Sequence, residues 1–420
     1  MTLSKDPYKG TKDYYPQEKA VQNYVFNKWR EVVQSFGYQE YGLPLLEPLD
    51  LYRAKSGTEL ASDQAYSFED KGGREVSIRP EATPSVSRMV AGRRQEMAYP
   101  ARLFSIANYM RYERPQKGRE REFWQLNVDA FGADGISADA ETILLAEKLL
   151  TSLGATAKDF TILVSHRALL NDALANYVGL SENQIKPLTK LIDNKNKISE
   201  ETFMRGVQEI ISDENKQAKL LNLIAAKNLQ EVKNLIGETE NVVQMEELLQ
   251  ALTELNVQSA KFDITLVRGL DYYTGMVFEV VDNSPENNRS IFGGGRYDGL
   301  VEMFGVEPIS AVGFAPGYTT TELFLRSHNL LPSALPGIDV YIATLDNQYI
   351  ASYKLAEILR AQNYKVDVDT SSKKLDKKIK LANKKNAKYL VVIGANEAAT
   401  GEYTMKNLST GEQEDIASFK

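Results

Sequence analysis

The chain has 420 residues, of which 43% are hydrophobic and 25% are charged, and its formal net charge is −7. These values are typical of a globular protein of two or three domains, and no apolar run of about 18 residues is present to cross a membrane. With no cysteine and two histidines, the sequence excludes disulfides, zinc–thiolate sites and multi-histidine metal sites. The N-terminus has the features of neither a signal peptide nor a transit peptide, which is compatible with a reducing cytosol.

The first predicted elements are a helix and a strand. Residues 17–36 form an amphipathic pattern that ends at Gly37. Residues 38–46 read as a strand that Pro44 restricts to a sheet edge or a bend. The two elements could pack in the core or form a surface that pairs with a second subunit, and the residues alone leave both interpretations open.

A hairpin is predicted over residues 66–79, with its turn at Gly72 and Gly73. It leads into Arg-Pro-Glu-Ala-Thr (79–83) at the start of the next helix, so Glu81 and Thr83 lie near that helix N-terminus. An early proline and acid are ordinary chemistry for a helix start, and they also suit a binding site.

A second predicted hairpin carries the strongest functional signal. Its strands are 103–110 and 123–131, and the loop 111–122 between them holds five basic and three acidic residues. Side chains alternate along the second strand, so one face is apolar and the other carries Gln125 and Asp129 between aromatic residues. Guanidinium groups match phosphate oxygens, and a carboxylate on the same face could hold a cationic or N–H-bearing group. An exposed charged loop is the alternative, but it does not explain the polar stripe on the strand.

Farther along, a helix is predicted over 137–153, a strand over 160–164 and a helical insertion over about 167–258. Sheet character returns over 262–281, where Arg268 directly follows strand-like residues. A buried arginine is costly unless it meets an anion, and an exposed edge hairpin is the alternative. Gly293–Gly295 predicts a turn that a ligand or another backbone can approach closely, without the P-loop or Rossmann pattern.

A domain boundary is predicted at 329–337, followed by a small α/β domain with a largely parallel sheet. A helix at 373–388 carries eight lysines against one aspartate. Such a helix is either a solvated surface or a contact for a phosphate backbone.

Three motifs together resemble those of histidyl-tRNA synthetases, a class II aminoacyl-tRNA synthetase family. They are Arg-Tyr-Glu-Arg-Pro-Gln-Lys-Gly-Arg (111–119), Leu-Val-Arg-Gly-Leu-Asp-Tyr-Tyr (266–273) and Gly-Gly-Gly-Arg-Tyr-Asp-Gly-Leu (293–300). Residues 9–16 and 79–83 fit the same family. The resemblance covers nearly the whole chain.

The resemblance implies an α+β class II catalytic domain over residues 1–325, in which helices flank an antiparallel six-stranded sheet. The helical insertion lies within it, a linker spans 326–336, and a C-terminal α/β anticodon-binding domain spans 337–420. It also implies a cytoplasmic homodimer whose interface contains the helix 17–36 and the strand near Pro44.

The activity that the resemblance implies is the ligation of L-histidine to tRNA(His) through a histidyl-adenylate, with ATP as substrate, Mg²⁺ on its phosphates and no protein-bound metal. By similarity, Arg111 clamps the α-phosphate, Glu113 faces the adenine amine and Phe123 stacks on the ring. Arg119 also belongs to the ATP site. Arg268 is expected to hold the histidine carboxylate and the α-phosphate.

The histidine pocket is implied in the same way. Asp129 and Tyr273 are the expected partners of the two imidazole nitrogens, because a selective pocket must satisfy both. Tyr272 and Tyr297 lie nearby in this assignment. The residues expected to bind the α-amino group are Glu81, Thr83 and Gln125.

One position departs from the family pattern. Thr320 stands where the family usually carries an arginine that holds the ATP γ-phosphate, so another cation substitutes or ATP binds more weakly. Arg326 and Arg119 are the candidates for substitution. The alternatives to the enzyme are the non-catalytic regulatory paralogue of ATP phosphoribosyltransferase, which lacks the C-terminal domain, and an RNA-binding regulator.

Overall fold

The computed structural model describes residues 3–54, 63–268, 272–287, 290–332 and 337–416. The chain divides into two compact units, Met1–Leu331 and Pro332–Lys420, and this division falls within the range 326–336 interpreted above as a linker. Residues 333–336 of that range lie outside the described residues, as do residues 269–271 of the motif Leu-Val-Arg-Gly-Leu-Asp-Tyr-Tyr (266–273).

The first unit is built on one large mixed sheet and one small sheet. Its strands are β1 (Gln39–Glu40), β2 (Leu46–Pro48), β3 (Tyr66–Glu69), β4 (Glu75–Ile78), β5 (Ala101–Met110), β6 (Glu122–Phe131), β7 (Phe160–His166), β8 (Ala260–Phe262), β9 (Met276–Asp282), β10 (Ser290–Arg296) and β11 (Ala311–Phe314). The large sheet has the order β1-β5-β6-β11-β10-β9-β7-β8. Its six inner strands are antiparallel, as expected, but β1 and β8 add a short parallel strand at each edge, so the described residues form a sheet of eight strands rather than six.

Helices cover the sheet and form the insertion. They are α1 (Pro16–Ser35), α2 (Asp50–Arg53), α3 (Thr83–Gly92), α4 (Gly135–Thr151), α5 (Arg167–Asp172), α6 (Glu182–Asp193), α7 (Glu200–Ile210), α8 (Glu214–Ile224), α9 (Leu229–Ile236), α10 (Glu240–Glu254) and α11 (Tyr318–Ser327). A π-helical segment, Ala173–Val178, follows α5, and short 3₁₀ turns occur at Lys195–Lys197 and Val301–Phe304. Between β7 and β8 the described residues contain helices and no strand, which confirms the helical insertion. No helix of the described chain is both long enough and apolar enough to cross a bilayer.

Apolar and polar side chains alternate along β6, and its apolar side chains lie on the face of the sheet that helices cover. Leu126 and Val128 join the main hydrophobic core, which also contains Trp29 of α1 and Ile143 of α4. Trp29 is fully buried. Because successive strand residues point to opposite faces, the polar residues of β6 lie on the other side of the sheet from this helix layer.

Three sequence-based assignments of local structure were wrong. The strand expected over 38–46 is limited to β1, and β2 instead joins β4 and β3 in a separate three-stranded sheet. Pro44, between the two strands, has no N–H to donate to a neighbouring strand and favours this separation.

The strand-like residues before Arg268 are not a strand. The Asp263 side chain accepts hydrogen bonds from the Thr265 N–H (2.9 Å) and hydroxyl (2.7 Å), and these bonds turn the chain. Gly293–Gly295 is not a turn but the centre of β10.

The second unit is an α/β domain. Its elements are β12 (Val340–Thr344), α12 (Tyr349–Ala361), β13 (Val366–Asp369), α13 (Leu375–Lys384), β14 (Tyr389–Ile393), α14 (Ala395–Thr400), β15 (Thr404–Asn407) and β16 (Gln413–Asp415). The order is β13-β12-β14-β15-β16, and the first three strands are parallel. One residue of the Lys-rich segment is not on the surface: Lys378 is fully buried and donates to the carbonyls of Thr344 (2.7 Å) and Asp369 (2.9 Å). Lys378 is therefore no candidate for an RNA contact.

Candidate active site

The polar face of β6 forms the floor of the site. Gln125 donates through Nε2 to the carbonyl of Ala315 at 3.2 Å, and Asn127 donates through Nδ2 to Oδ2 of Asp129 at 3.1 Å. Cross-strand pairing with β11 places Asp129 opposite Gly313. These residues alternate with the core residues of the same strand. The strand therefore holds them in a row on one face, as the sequence predicted.

Asp129 is a buried carboxylic acid, with 1% of its surface exposed. Its carboxylate accepts hydrogen bonds from the Tyr297 hydroxyl and from Asn127. Burial raises the pKa of Asp129 to about 6, because loss of hydration disfavours the charged form, and the two donors act in the opposite direction. Its negative charge is therefore favoured above about pH 6 and its neutral form below it.

Three tyrosines surround this carboxylate. The Tyr272 ring lies 5.7 Å from that of Tyr297 and 5.0 Å from that of Tyr273, measured between centroids. Burial raises the pKa of all three phenols, so their hydroxyls are neutral groups that can both donate and accept. Gly295 makes room for them, because a Cβ at that position would lie 2.9 Å from the Tyr273 ring.

Glu81 and Thr83 belong to the same cluster. Both are buried at the start of α3, and Glu81 has 4% of its surface exposed. The negative charge of Glu81 contributes to the raised pKa of Tyr272 and Tyr273, whereas a hydrogen bond with Thr83 acts to lower that of Tyr272. The hairpin β3–β4 delivers this segment, and Arg79 anchors it by donating to the Asn108 carbonyl at 2.9 Å.

Arg268 lies close to Tyr272 and Tyr273. Its Nη1 donates to Oε1 of Glu279 at 2.7 Å, and its Nε is buried without a hydrogen-bond partner among the residues that the structure describes. Burial disfavours the guanidinium charge, but Tyr273 and Glu279 outweigh this effect and keep the pKa of Arg268 raised. A fixed cation with an unused N–H is suited to an anionic ligand.

A cavity of about 210 Å³ lies at the other end of the β6 stripe. Arg111, Glu113 and Phe123 are among the residues that line it, together with Gly118, Arg119, Glu120, Gln125, Ile291, Ala315, Gly317, Thr319 and Thr320. Arg111 donates through Nε to the Pro80 carbonyl at 3.0 Å, and its guanidinium lies 5.4 Å from the centre of the Phe123 ring. Glu113 forms an ion pair with Arg119 at 3.5 Å.

The hydrogen bonds of Thr320 show whether its hydroxyl is available to a ligand in the cavity. Its hydroxyl donates to the Ile291 carbonyl at 2.7 Å, so this group is already engaged within the protein. Of the two candidate replacement cations, Arg119 lines the cavity, with its side chain 63% exposed. Arg326 is not among the lining residues and pairs with Glu322 at 2.6 Å.

The two halves of the site are joined by β6. Gln125 lines the 210 Å³ cavity, and Asp129 lies four residues farther on the same face, about 13 Å away at the strand rise of about 3.3 Å per residue. The structure therefore places the predicted residues in two adjoining groups, one of cations around an aromatic ring and one of a buried acid among tyrosines. Such a pair of groups could hold a phosphate-bearing nucleotide beside a small N–H-bearing molecule.

The sequence assignment missed two neighbours of the site. Tyr41 packs against the tyrosine cluster, and its hydroxyl acts to lower the pKa of Asp129. No local signal marked Tyr41, which follows a strand of two residues. Glu279 carried a weak signal, because it is a single carboxylate within the apolar run Met276–Val281.

Comparisons with known proteins agree with this arrangement. A family model described as histidyl-tRNA synthetase matches residues 10–319, and one described as an anticodon binding domain matches residues 339–418. The histidine–tRNA ligase of Leptospira biflexa serovar Patoc is 39% identical over 414 residues, which are 98% of this chain and 95% of that protein.

Solved structures show the same fold. Histidyl-tRNA synthetase from Nostoc sp. PCC 7120 superposes with a TM-score of 0.84 at 24% identity and covers 99% of this chain and 98% of its own. The apo S. aureus histidyl-tRNA synthetase has a TM-score of 0.74 at 26% identity and covers 99% of this chain and 97% of its own. From the sequence matches over nearly its full length, the chain belongs to the histidyl-tRNA synthetase family.

Proposed function

We propose that this chain ligates L-histidine to tRNA(His) in two steps. The histidine carboxylate attacks the α-phosphorus of ATP, and pyrophosphate leaves, giving histidyl-adenylate. The terminal ribose hydroxyl of the tRNA then attacks the carbonyl carbon of the adenylate, and AMP leaves. The observation that carries this proposal is the single strand β6, which joins a cation-lined cavity to a buried acid among tyrosines.

Fixed cations provide most of the catalysis in this proposal. The first step shifts negative charge onto non-bridging oxygens of the α-phosphate, and the second builds charge on the carbonyl oxygen. Arg111 is held by the Pro80 carbonyl and Arg268 by Glu279, so both guanidinium groups are oriented before the reaction. Pre-oriented charges stabilise such transition states without reorganisation, and no covalent protein nucleophile is required.

Selection of histidine rests on Asp129 and Tyr273. In this proposal the ionised Asp129 accepts one imidazole N–H, and Tyr273 bonds the other ring nitrogen. Glu81, Thr83 and Gln125 hold the α-amino group, while Tyr272 and Tyr297 complete the pocket. An apolar side chain of similar shape would leave these buried polar groups unpaired, which strongly disfavours its binding.

The nucleotide occupies the cavity of Arg111. Phe123 stacks on the adenine, Glu113 accepts from its amine, and Arg119 meets the outer phosphates in place of the arginine that Thr320 replaces. The ion pair between Glu113 and Arg119 must loosen for this, and the exposure of Arg119 makes such a change inexpensive.

Further partners belong to the same proposal. Mg²⁺ would neutralise the ATP phosphates, and the Glu120 carboxylate of the cavity is an oxygen ligand of the kind that it prefers. The anticodon arm of the tRNA binds the second unit. The protein acts as a cytoplasmic homodimer through α1 and the segment near Pro44.

A pyrophosphate-exchange assay separates this proposal from its alternatives. The enzyme is expected to exchange labelled pyrophosphate into ATP only when L-histidine is present. A regulatory paralogue or an RNA-binding regulator would show no exchange, and such a result would reject the proposed function. The paralogue is disfavoured by the match of residues 339–418 to the anticodon binding domain.

A further inference from the structure

Arg268 has one acidic partner among the described residues, Glu279 on β9. The carboxylate Oε1 lies 2.7 Å from Nη1, and the two side chains are only 21% and 26% exposed. A charge pair this sheltered from solvent holds its geometry better than a surface pair does.

The sheet fixes where this pair sits. Glu279 is the register partner of Gly293 on β10, and directly opposed residues of an antiparallel pair share one face of the sheet. A Cβ at Gly293 would lie 2.6 Å from Nη1 and 2.8 Å from Cζ of Arg268. The guanidinium therefore packs closely against Gly293 while Glu279 binds its Nη1. We term these two residues, Glu279 and Gly293, the Arg268 seat.

The Nε atom of Arg268 indicates which kind of ligand the guanidinium is positioned to bind. Nε of Arg268 is buried and has no hydrogen-bond partner within the described part of the chain, which costs stability. An ion pair serving stability alone would satisfy this group too. Within the described residues Glu279 engages Nη1 and Tyr273 makes a further hydrogen bond with the guanidinium, whereas Nε has no partner. The guanidinium edge that carries Nε can match two oxygens of a carboxylate or phosphate.

We propose that Glu279 is a positioning residue: with Gly293 it orients the Arg268 guanidinium so that its Nε edge meets the oxygens of the activated amino acid and of the α-phosphate. This inference rests on the proposed function of the site. Glu279 touches neither substrate and acts through Arg268, so its loss should affect the chemical step more than ATP binding.

The first test compares Glu279→Ala, Glu279→Gln and Glu279→Asp in histidine-dependent pyrophosphate exchange. Glu279→Ala is expected to lower kcat by roughly 10- to 100-fold, as misplacement of a catalytic group does, with the ATP KM nearly unchanged. Glu279→Gln and Glu279→Asp should each recover part of the loss, since each keeps an acceptor oxygen. Glu141→Gln is the matched control, because Glu141 forms a half-buried pair with Arg102 at 2.9 Å outside the site; its kcat should equal that of the wild type.

The second test is chemical rescue. Arg268→Ala should regain exchange activity when millimolar guanidinium is added, because the seat can still hold the free cation. The double variant Arg268→Ala/Glu279→Ala should regain several-fold less at the same concentration. Equal rescue of the two variants would overturn the proposal, as would a Glu279→Ala enzyme with wild-type kcat.

The failure of this inference can be told apart from failure of the proposed function. A wild-type protein without histidine-dependent exchange rejects the function itself. A wild type that exchanges, together with Glu279 variants that behave like Glu141→Gln, rejects only the role of Glu279. Thermal unfolding of each variant identifies misfolding, and Glu279→Gln, which preserves size and one acceptor, keeps the test valid if Glu279→Ala does not fold.

Discussion

Replacing Asp129 by asparagine tests the imidazole pocket most directly. The substitution keeps the shape of the side chain but removes its charge. A hydrogen bond to a charged group contributes about 1.5–3 kcal/mol. At about 1.4 kcal/mol for each factor of ten, kcat/KM for histidine should fall roughly 10- to 150-fold at pH 8. Complete truncation, Asp129→Ala, should abolish histidine-dependent exchange.

The pKa of Asp129 predicts how the effect of this substitution on kcat/KM should depend on pH. The pKa of Asp129 is raised to about 6, so the wild type carries the negative charge above that pH and a neutral carboxyl group below it. The ratio of wild-type to Asp129→Asn kcat/KM should therefore be greatest above pH 6 and shrink as pH falls through 6. Taking the ratio cancels the titration of free histidine. A ratio near one at pH 8, or one that is constant from pH 5 to 8, would refute the role of Asp129.

The raised pKa of Asp129 also predicts how the stability of the folded protein depends on pH. Stability should fall as pH rises, whereas the advantage of the wild type in activity should grow. Because the folded-state pKa of Asp129 is raised from 3.8 to about 6, folding favours the protonated form, and stability is lost as pH rises through that window. A shift of about two units corresponds to a cost on the order of 3 kcal/mol above pH 6. The Asp129→Asn protein should unfold at pH 8 at the same Tm as the wild type or higher, which would separate its loss of activity from misfolding.

Three further predictions concern other parts of the molecule. Arg119→Ala should raise the KM for ATP in the exchange assay roughly tenfold by removing a charge-assisted contact, whereas Arg326→Ala should leave it unchanged because Arg326 pairs with Glu322 outside the cavity. Asp139→Ala should lower the free energy of unfolding in denaturant titrations by about 3 kcal/mol, because it removes the closer counter-charge of the buried Arg296, at 2.7 Å, and leaves, among the described residues, only Asp298 at 3.3 Å. Alanine at three exposed lysines of the Lys-rich segment should weaken tRNA binding and reduce its salt dependence by a slope of about two to three, and a salt-insensitive affinity would contradict this. Those lysines are Lys377, Lys380 and Lys384.

Local sequence patterns predicted a large share of the fold. The helix α1, the hairpin β3–β4 and the hairpin β5–β6 follow from periodicity and turn residues, which act over a few neighbouring positions. The same alternation placed Gln125 and Asp129 together on one face of β6. The motif resemblance added residues that no periodicity could identify as a site, among them Tyr297.

Other features depend on partners that are distant in sequence. Asp129 and Tyr297 are 168 positions apart, and no local pattern connects them. The glycines of β10 were interpreted as a turn because glycine often marks turns, but here they lie within a strand where Arg268 and Tyr273 pack directly on the backbone. Lys378 was counted with a charged surface, and only the fold shows that it is buried.

By itself, then, the sequence determined most of the helices and long strands and which face of β6 is polar, because these properties are set by side-chain periodicity along the chain. Only the tertiary structure decided that Glu279 and Gly293 hold Arg268 and that Asp129 is buried deeply enough to titrate near pH 6. Both depend on strand register and on exclusion of water, and these arise when strands far apart in the chain pack together.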